Sequence, residues 1–300
     1  FMHGVMEDVA RLRDEGIDVV LTSSGAVAIG LSTIGVAPEE AGLLDKQAAA
    51  ACGQPLLMNA YKQIALEYGF DIAQVLVTLD DLEDRRRFLN TKNTITRLIE
   101  RGVMPIVNEN DTVATSHLVF TDNDELAGLI ASQLSADAVI FLTSIGGVMT
   151  AEGDDGRRVV PEIRTEDIPL FEKHITSQKS SSGRGGMHTK FSIAKKLMTQ
   201  GITAHIANGK RDDSILDIVA GKSLGTKFIP TKKLSAVKRR LAYAEGLTAG
   251  YVYVNEGAKE ALLSRKSVSL LLVGVTKIEG SFKKGDAVEI RGDDGSRLGV

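Results

Sequence analysis

Tryptophan is absent from the 300 residues, cysteine occurs once, proline six times, and aromatic side chains make up 5% of the chain. A single thiol excludes an internal disulfide and leaves no dithiol for redox chemistry. Cys52, next to the run Ala48 to Ala51, reads as a small buried apolar residue. The five histidines, His3, His117, His174, His188 and His205, are scattered, so neither a His/Cys metal site nor a Ser/His/Asp hydrolase takes shape. No apolar run approaches the roughly 20 residues needed to span a bilayer, and no signal-peptide pattern opens the sequence, so no membrane association is expected and a cytoplasmic location is. Excess charge is missing too. A formal net charge of −3 and a pI near 6.0 give no reason to invoke an acidic partner for the chain as a whole.

What is present is alternation. Apolar runs of strand length, at 17–21, 72–77, 103–107, 138–142 and 202–206, are separated by segments of helical period. That is the pattern of an α/β protein whose parallel sheet is covered on both faces by helices, and ligands of such sheets gather at the carboxyl ends of the strands. Polar residues cluster at those ends. Thr22-Ser-Ser-Gly25 closes the first visible strand, Asn108-Glu-Asn-Asp111 the third and Thr143-Ser-Ile-Gly-Gly147 the fourth, so three strand ends are expected at one crevice.

Near Pro230 the alternation stops. After Lys238-Arg-Arg240 come short runs at 250–254, 270–275 and 287–290, broken by glycine and charged turns, which indicate a small, mostly β domain. The division expected is 1–232 and 233–300. A strand is expected ahead of the opening helix, Met6 to Glu15, outside this sequence, and the β segment likewise stops early at Gly299-Val300.

The most specific chemistry lies in Gly183-Arg-Gly-Gly-Met-His-Thr-Lys190, a glycine-rich turn entering a helix whose apolar face is Met187, Phe191, Ala194 and Met198. Unpaired backbone N–H groups, the positive end of a helix dipole and an ammonium converge there, which suits a phosphate. The bland alternative is a Gly/Ser surface loop. Ser24-Gly25 could accept an anion at a helix start or merely cap it. Asn108, Asn110 and Asp111 could grip a small zwitterion, the carboxylate accepting from ammonium and the amides donating to carboxylate, or form an Asx-rich turn. Thr121-Asp-Asn-Asp-Glu125, which starts a helix running to Leu134, offers a second wall of the same pocket. No Walker-type or G-x-G-x-x-G motif occurs. A carboxylate nucleophile is already ionised at neutral pH, so phosphorylation of a carboxylate needs no general base.

Taken together, Thr22 to Ala26, Glu83-Asp-Arg-Arg-Arg-Phe-Leu-Asn90, Val107 to Thr115, Asp122-Asn-Asp124 and Gly185 to Lys190 resemble the amino acid kinase family in order and spacing, and within it the branch that phosphorylates glutamate. Gly246-Leu-Thr, Val254-Asn-Glu-Gly257, Ala261-Leu-Leu and Gly280 to Asp286 are similar to a PUA domain. The resemblance implies a three-layer αβα sandwich with a mainly parallel sheet, followed by the PUA-like appendage. It implies that Ser24, Asn108, Asp111 and Asn123 contact L-glutamate, that Asp124 orients the catalytic lysines, and that Lys190 neutralises charge on the transferring phosphoryl group. Thr143, Ser144, Gly185, Gly186, Met187, His188, Thr189 and Lys190 would contact ATP, with Mg2+ held mainly by the ATP phosphates and not by protein side chains. The family usually has aspartate in place of Ser144 and a small hydroxyl residue in place of Arg184, which bears on nucleotide contacts. The activity implied is formation of γ-glutamyl phosphate, the first step of proline biosynthesis, with feedback by proline, assembly into homodimers or homotetramers, and handover to the next reductase. The region 83–87 is where proline sensitivity and assembly are expected. Two other readings remain. One is a relative with a different carboxylate or phosphate acceptor. The other is RNA binding by the PUA-like segment, disfavoured because few exposed aromatics accompany its lysines and arginines.

Overall fold

A computed structural model describes residues 1–113, 123–150, 158–177, 186–212, 214–230, 250–264, 269–282 and 288–299. The elements of the larger part run in order α1 (Met2–Asp14), β1 (Leu21–Thr22), α2 (Ala26–Ile34), α3 (Leu43–Glu67), β2 (Asp71–Val77), α4 (Leu79–Glu83), α5 (Arg85–Glu100), β3 (Val103–Glu109), α6 (Asn123–Leu134), β4 (Ala138–Thr143), β5 (Glu162–Ile163), α7 (Ile168–Ser177), α8 (Met187–Thr199), β6 (Thr203–Asn208), α9 (Ser214–Val219) and β7 (Thr226–Phe228). Four of the five expected strands fall within two residues of their expected bounds. The first is shorter, because only Leu21 and Thr22 pair with β3.

Among the described residues the ladder forms two sets. The first has the order β1-β3-β2 and is parallel throughout; the second has the order β4-β6-β7-β5, parallel except where β6 meets β7. Side chains along β3 show why its sequence is an unbroken apolar run. Met104 and Ile106 pack with Val5, Met6, Val9, Leu57 and Tyr61 of α1 and α3, while Val107 packs on the opposite face with Ile95, Leu126, Leu129 and Ile130 of α5 and α6. Both faces are covered, so both must be apolar. Leu21 of β1 and Leu142 of β4 share one cluster, which brings the two strand sets side by side. Phe141, the neighbour of Leu142, enters the other large cluster with Ile206, Phe228 and the α8 residues Phe191, Ala194, Leu197 and Met198. Each fully buried Val, Leu, Ile, Phe or Met side chain contributes roughly 1.5–3 kcal/mol of transfer free energy.

Two helix placements prepare the site. Helix α6 sends Leu126, Leu129 and Ile130 into the β3 cluster and Ala131 into the β4 cluster, so it straddles the junction of the strand sets. Helix α3 crosses α2 at nearly bare backbone. A Cβ on Gly53 would lie 1.9 Å from the Ala26 carbonyl oxygen, and one on Gly30 would lie 1.7 Å from that of Ala49. Glycine alone permits this crossing, and it fixes the residues beside Gly53. Cys52 is one of them and is exposed, contrary to the buried position expected from its alanine neighbours.

The described residues beyond 250 form a separate four-stranded sheet, β8 (Gly250–Val254), β9 (Val275–Gly280), β10 (Glu289–Gly292) and β11 (Arg297–Gly299), in the order β11-β10-β8-β9. A helix, Glu256–Leu263, joins the first two strands. The run expected as a strand over 270–275 is instead a 3-10 turn at Leu272–Gly274 that leads into β9. Leu271, Leu272 and Val273 are exposed, so apolar content there does not report burial in a sheet. The expected boundary at 232/233, Lys238-Arg-Arg240, Lys283 and Lys284 lie outside the described residues.

Candidate active site

The turn after β1 continues the sheet for one residue before leaving it. Ser23 N–H donates to the Val107 carbonyl at 3.0 Å, and its buried hydroxyl shares a 2.9 Å hydrogen bond with the Tyr61 hydroxyl. Burial pushes the Tyr61 phenol above its usual pKa, against the smaller opposing pull of Ser23, so it stays protonated. Gly25, at φ 104°, then turns the chain into α2, a conformation that side chains rarely adopt. Gly25 is itself the cap residue and no side chain caps the helix start, so the capping role weighed for Ser24 is not what the structure shows. Ser24 is exposed at the turn.

The end of β3 lies beside that turn. Asn108, 3% exposed, receives the Glu109 backbone N–H on its Oδ1 at 2.9 Å and gives its Nδ2 to Gln54 Oε1 at 2.8 Å. Asn110 extends the strand pairing through its N–H to the Val77 carbonyl at 2.8 Å, its side chain accepts from the Thr112 hydroxyl at 2.5 Å, and its carbonyl accepts from Val113 N at 3.2 Å, so the chain turns here. Asp111 follows half-buried, and burial raises its carboxyl above the ordinary range.

Helix α6 begins at the same place. Asn123 Nδ2 donates to Asn108 Oδ1 at 3.1 Å and also to the Ser23 carbonyl, which ties the ends of β1 and β3 to the helix start. The adjacent Asp124 forms an ion pair with Lys190 of α8, with side chains only 15% and 11% exposed. Asp122 lies outside the described residues.

Lys190 is the fourth residue of α8. Gly186 is the helix cap, no side chain caps it among the described residues, and its carbonyl accepts from Thr189 N at 3.0 Å and Lys190 N at 3.4 Å. The helix start therefore presents backbone N–H groups beside a lysine, as a phosphate site requires. Met187 and Thr189 are half-buried and His188 is exposed. Gly183, Arg184 and Gly185 lie outside the described residues.

With this geometry in view, comparison with known proteins is direct. Residues 2–208 match the amino acid kinase family and residues 250–300 match the PUA domain. A Bacteroides thetaiotaomicron protein named glutamate 5-kinase is 43% identical over 303 residues, covering 100% of this chain and 84% of its own. One of the same name from Chlorobaculum tepidum is 42% identical over 299 residues, covering 99% and 82%. The chain belongs to the amino acid kinase family, in its glutamate 5-kinase branch. The fold agrees with that membership. A carbamate kinase from Giardia lamblia bound to AMP-PNP superposes with a TM-score of 0.54 at 19% identity, covering 75% of this chain and 87% of that one.

The strand end expected to contact nucleotide is less simple than the sequence suggested. Thr143 ends β4, where its carbonyl accepts from Gly209 N at 2.9 Å, and the exposed Ser144 follows. Beyond them opens a cavity of about 290 Å³ lined by Gly146, Pro161, Asn208, Arg211, Leu224 and Gly225, among others. The expected meeting of three strand ends is thus divided. Those of β1 and β3 join through Asn123, whereas the cavity lies past β4, reached by Gly146 and by the end of β6 at Asn208. Asn208 occupies a strand end, so the rule that selected Thr143 could have found it. Gln54, Tyr61 and Arg211 carried no such mark, because only folding brings them to these places.

Proposed function

We propose that this chain transfers the γ-phosphoryl group of ATP to the side-chain carboxylate of L-glutamate, giving γ-glutamyl phosphate and ADP, the first step of proline biosynthesis. One carboxylate oxygen bonds to the γ-phosphorus as the bond from that phosphorus to the β–γ bridging oxygen breaks, and the electron pair leaves on ADP. No proton need move, since the nucleophile is ionised at neutral pH. The observation that carries the reading is the adjacency of Asn123 and Asp124, one joined to the amide cluster and the other to the phosphate-type helix start.

Ser24, Asn108, Asp111 and Asn123 hold glutamate. Gly185 to Lys190, with Thr143 and Ser144, hold ATP, and the 290 Å³ cavity past β4 and β6 takes its nucleoside end. Asp124 orients Lys190. The physical obstacle is the meeting of two anions, which repel by roughly 4 kcal/mol at ~4 Å and an effective dielectric of about 20. Lys190 and the N–H groups that open α8 offset that repulsion most strongly as charge redistributes in the transition state. Kinase chemistry brings a divalent cation with ATP. Because the Asp124 carboxylate is engaged by Lys190, Mg2+ is assigned to the ATP phosphates, where it supplies further charge neutralisation. Homodimeric or homotetrameric assembly, delivery of the unstable acyl phosphate to a reductase and operation in the cytoplasm complete the proposal. Among the described residues no helix is long and apolar enough to cross a membrane.

RNA recognition by the PUA domain has less support. The Arg291 guanidinium lies 4.1 Å from the centre of the Tyr251 ring and the Lys277 ammonium 5.2 Å from that of Tyr253, so cations of the same sheet occupy faces on which bases would stack. The decisive experiment traps the product with hydroxylamine. ATP-dependent hydroxamate is expected with glutamate and not with aspartate, N-acetylglutamate or carbamate; no hydroxamate with glutamate removes the proposal.

A further inference from the structure

Four side-chain amides run end to end from the exposed Gln74 on β2 to the start of α6, and their directions are not interchangeable. The backbone N–H of Glu109 can only donate, and it fixes Asn108 Oδ1 toward itself at 2.9 Å. Asn108 Nδ2 is thereby turned to Gln54 Oε1 at 2.8 Å, and Gln54 Nε2 to Gln74 Oε1 at 2.9 Å. At the other end Asn123 Nδ2 donates twice, to Asn108 Oδ1 at 3.1 Å and to the Ser23 carbonyl. A primary amide has two N–H bonds, so Asn123 has both engaged and presents only its Oδ1 to a ligand.

We propose that this relay makes Asn123 an acceptor for the ammonium group of the amino acid substrate, and that Gln54 on α3 is the positioning residue that holds it so. This rests on the glutamate reading given above, and it assigns Asn123 the opposite polarity to an amide donating to carboxylate. Gln54 is 7% exposed and Asn108 3%. If Gln54 loses its carbonyl, Asn108 Nδ2 has a buried N–H to satisfy. Turning the Asn108 amide over to satisfy it would set Nδ2 against two donors, Glu109 N–H and Asn123 Nδ2. With Asn108 turned over, the Asn123 amide is directed by the Ser23 carbonyl alone, one bond in place of two, and its Oδ1 is held less firmly toward the ligand.

The test measures kcat and both KM values for the full chain and its Q54L and Q54E variants, with glutamate and with glutarate, which lacks the ammonium. Q54L is expected to raise the glutamate KM about tenfold while leaving the ATP KM and the glutarate KM within about twofold. Q54E keeps an acceptor for Asn108 and is expected to recover most of the loss. Q74L, altered at the exposed end of the relay, applies the same test if Q54L does not fold, with a rise of about threefold expected. Equal rises for glutamate and glutarate, an unchanged glutamate KM, or no recovery in Q54E overturns the proposal. A wild-type chain that turns over no glutamate overturns the glutamate reading and the inference together; an active wild type with an unresponsive Q54L overturns the inference alone.

Discussion

Replacing Lys190 with methionine removes one charge while keeping the apolar stem that α8 buries. If the ammonium stands ~4 Å from the transferring phosphoryl group at an effective dielectric near 20, its loss withdraws roughly 4 kcal/mol of electrostatic stabilisation, about a thousandfold in kcat. The glutamate KM should change little, because the amide cluster engages a different residue of α6. A second effect is structural. Asp124 is 15% exposed and paired with Lys190, so K190M leaves a mostly desolvated carboxylate without its cation and should cost about 1–3 kcal/mol of stability. The double variant K190M/D124N separates the two effects, since it removes both charges and should regain stability without regaining turnover. ADP release at saturating substrates reads the first effect and urea unfolding the second. A kcat for K190M within tenfold of wild type, or recovery of turnover in the double variant, would refute the electrostatic role given to Lys190.

Two further outcomes follow from titrating groups. Burial raises the Asp111 carboxyl, so it should lose its charge at a higher pH than an ordinary carboxylate; the glutamate KM should climb on acidification above the usual carboxylate range, and D111N should abolish that climb while raising the KM at neutral pH. Retention of the wild-type pH profile in D111N would place Asp111 outside the pocket. His205 is buried on β6, and desolvation, with a smaller push from Lys227, lowers its pKa to about 4. The folded state therefore binds fewer protons than the unfolded one between about pH 4 and the ordinary histidine value of 6.5, and stability should fall as pH drops through that window, by about 2 kcal/mol between pH 7 and pH 5. Urea unfolding of wild type and H205Q at the two pH values checks this, and an equal acid loss in both would remove His205 as its cause.

The strand at 103–107 was legible because it is covered on both faces and has no polar side to show, whatever covers it; those at 72–77 and 138–142 were legible as apolar runs of strand length, although Gln74 and Ala138 are exposed. The glycine-capped start of α8 with Lys190 in its first turn was legible for a local reason, since glycine, an N-terminal helical turn and lysine act within one turn of each other. Tertiary structure alone decided the rest. Gln54 and Asn108 are 54 positions apart; the Glu109 N–H beside Asn108 directs the Asn108 amide, and only folding brings its Nδ2 to the Gln54 carbonyl oxygen on α3. Cys52 is exposed on α3, although its neighbours are alanines. Leu271 and Leu272 stay exposed because a 3-10 turn carries them out of the sheet. Periodicity reports which face of an element is apolar. It does not report which distant group that face meets, and the pairing of Asn123 with Asn108 and of Asp124 with Lys190 is information of that second kind.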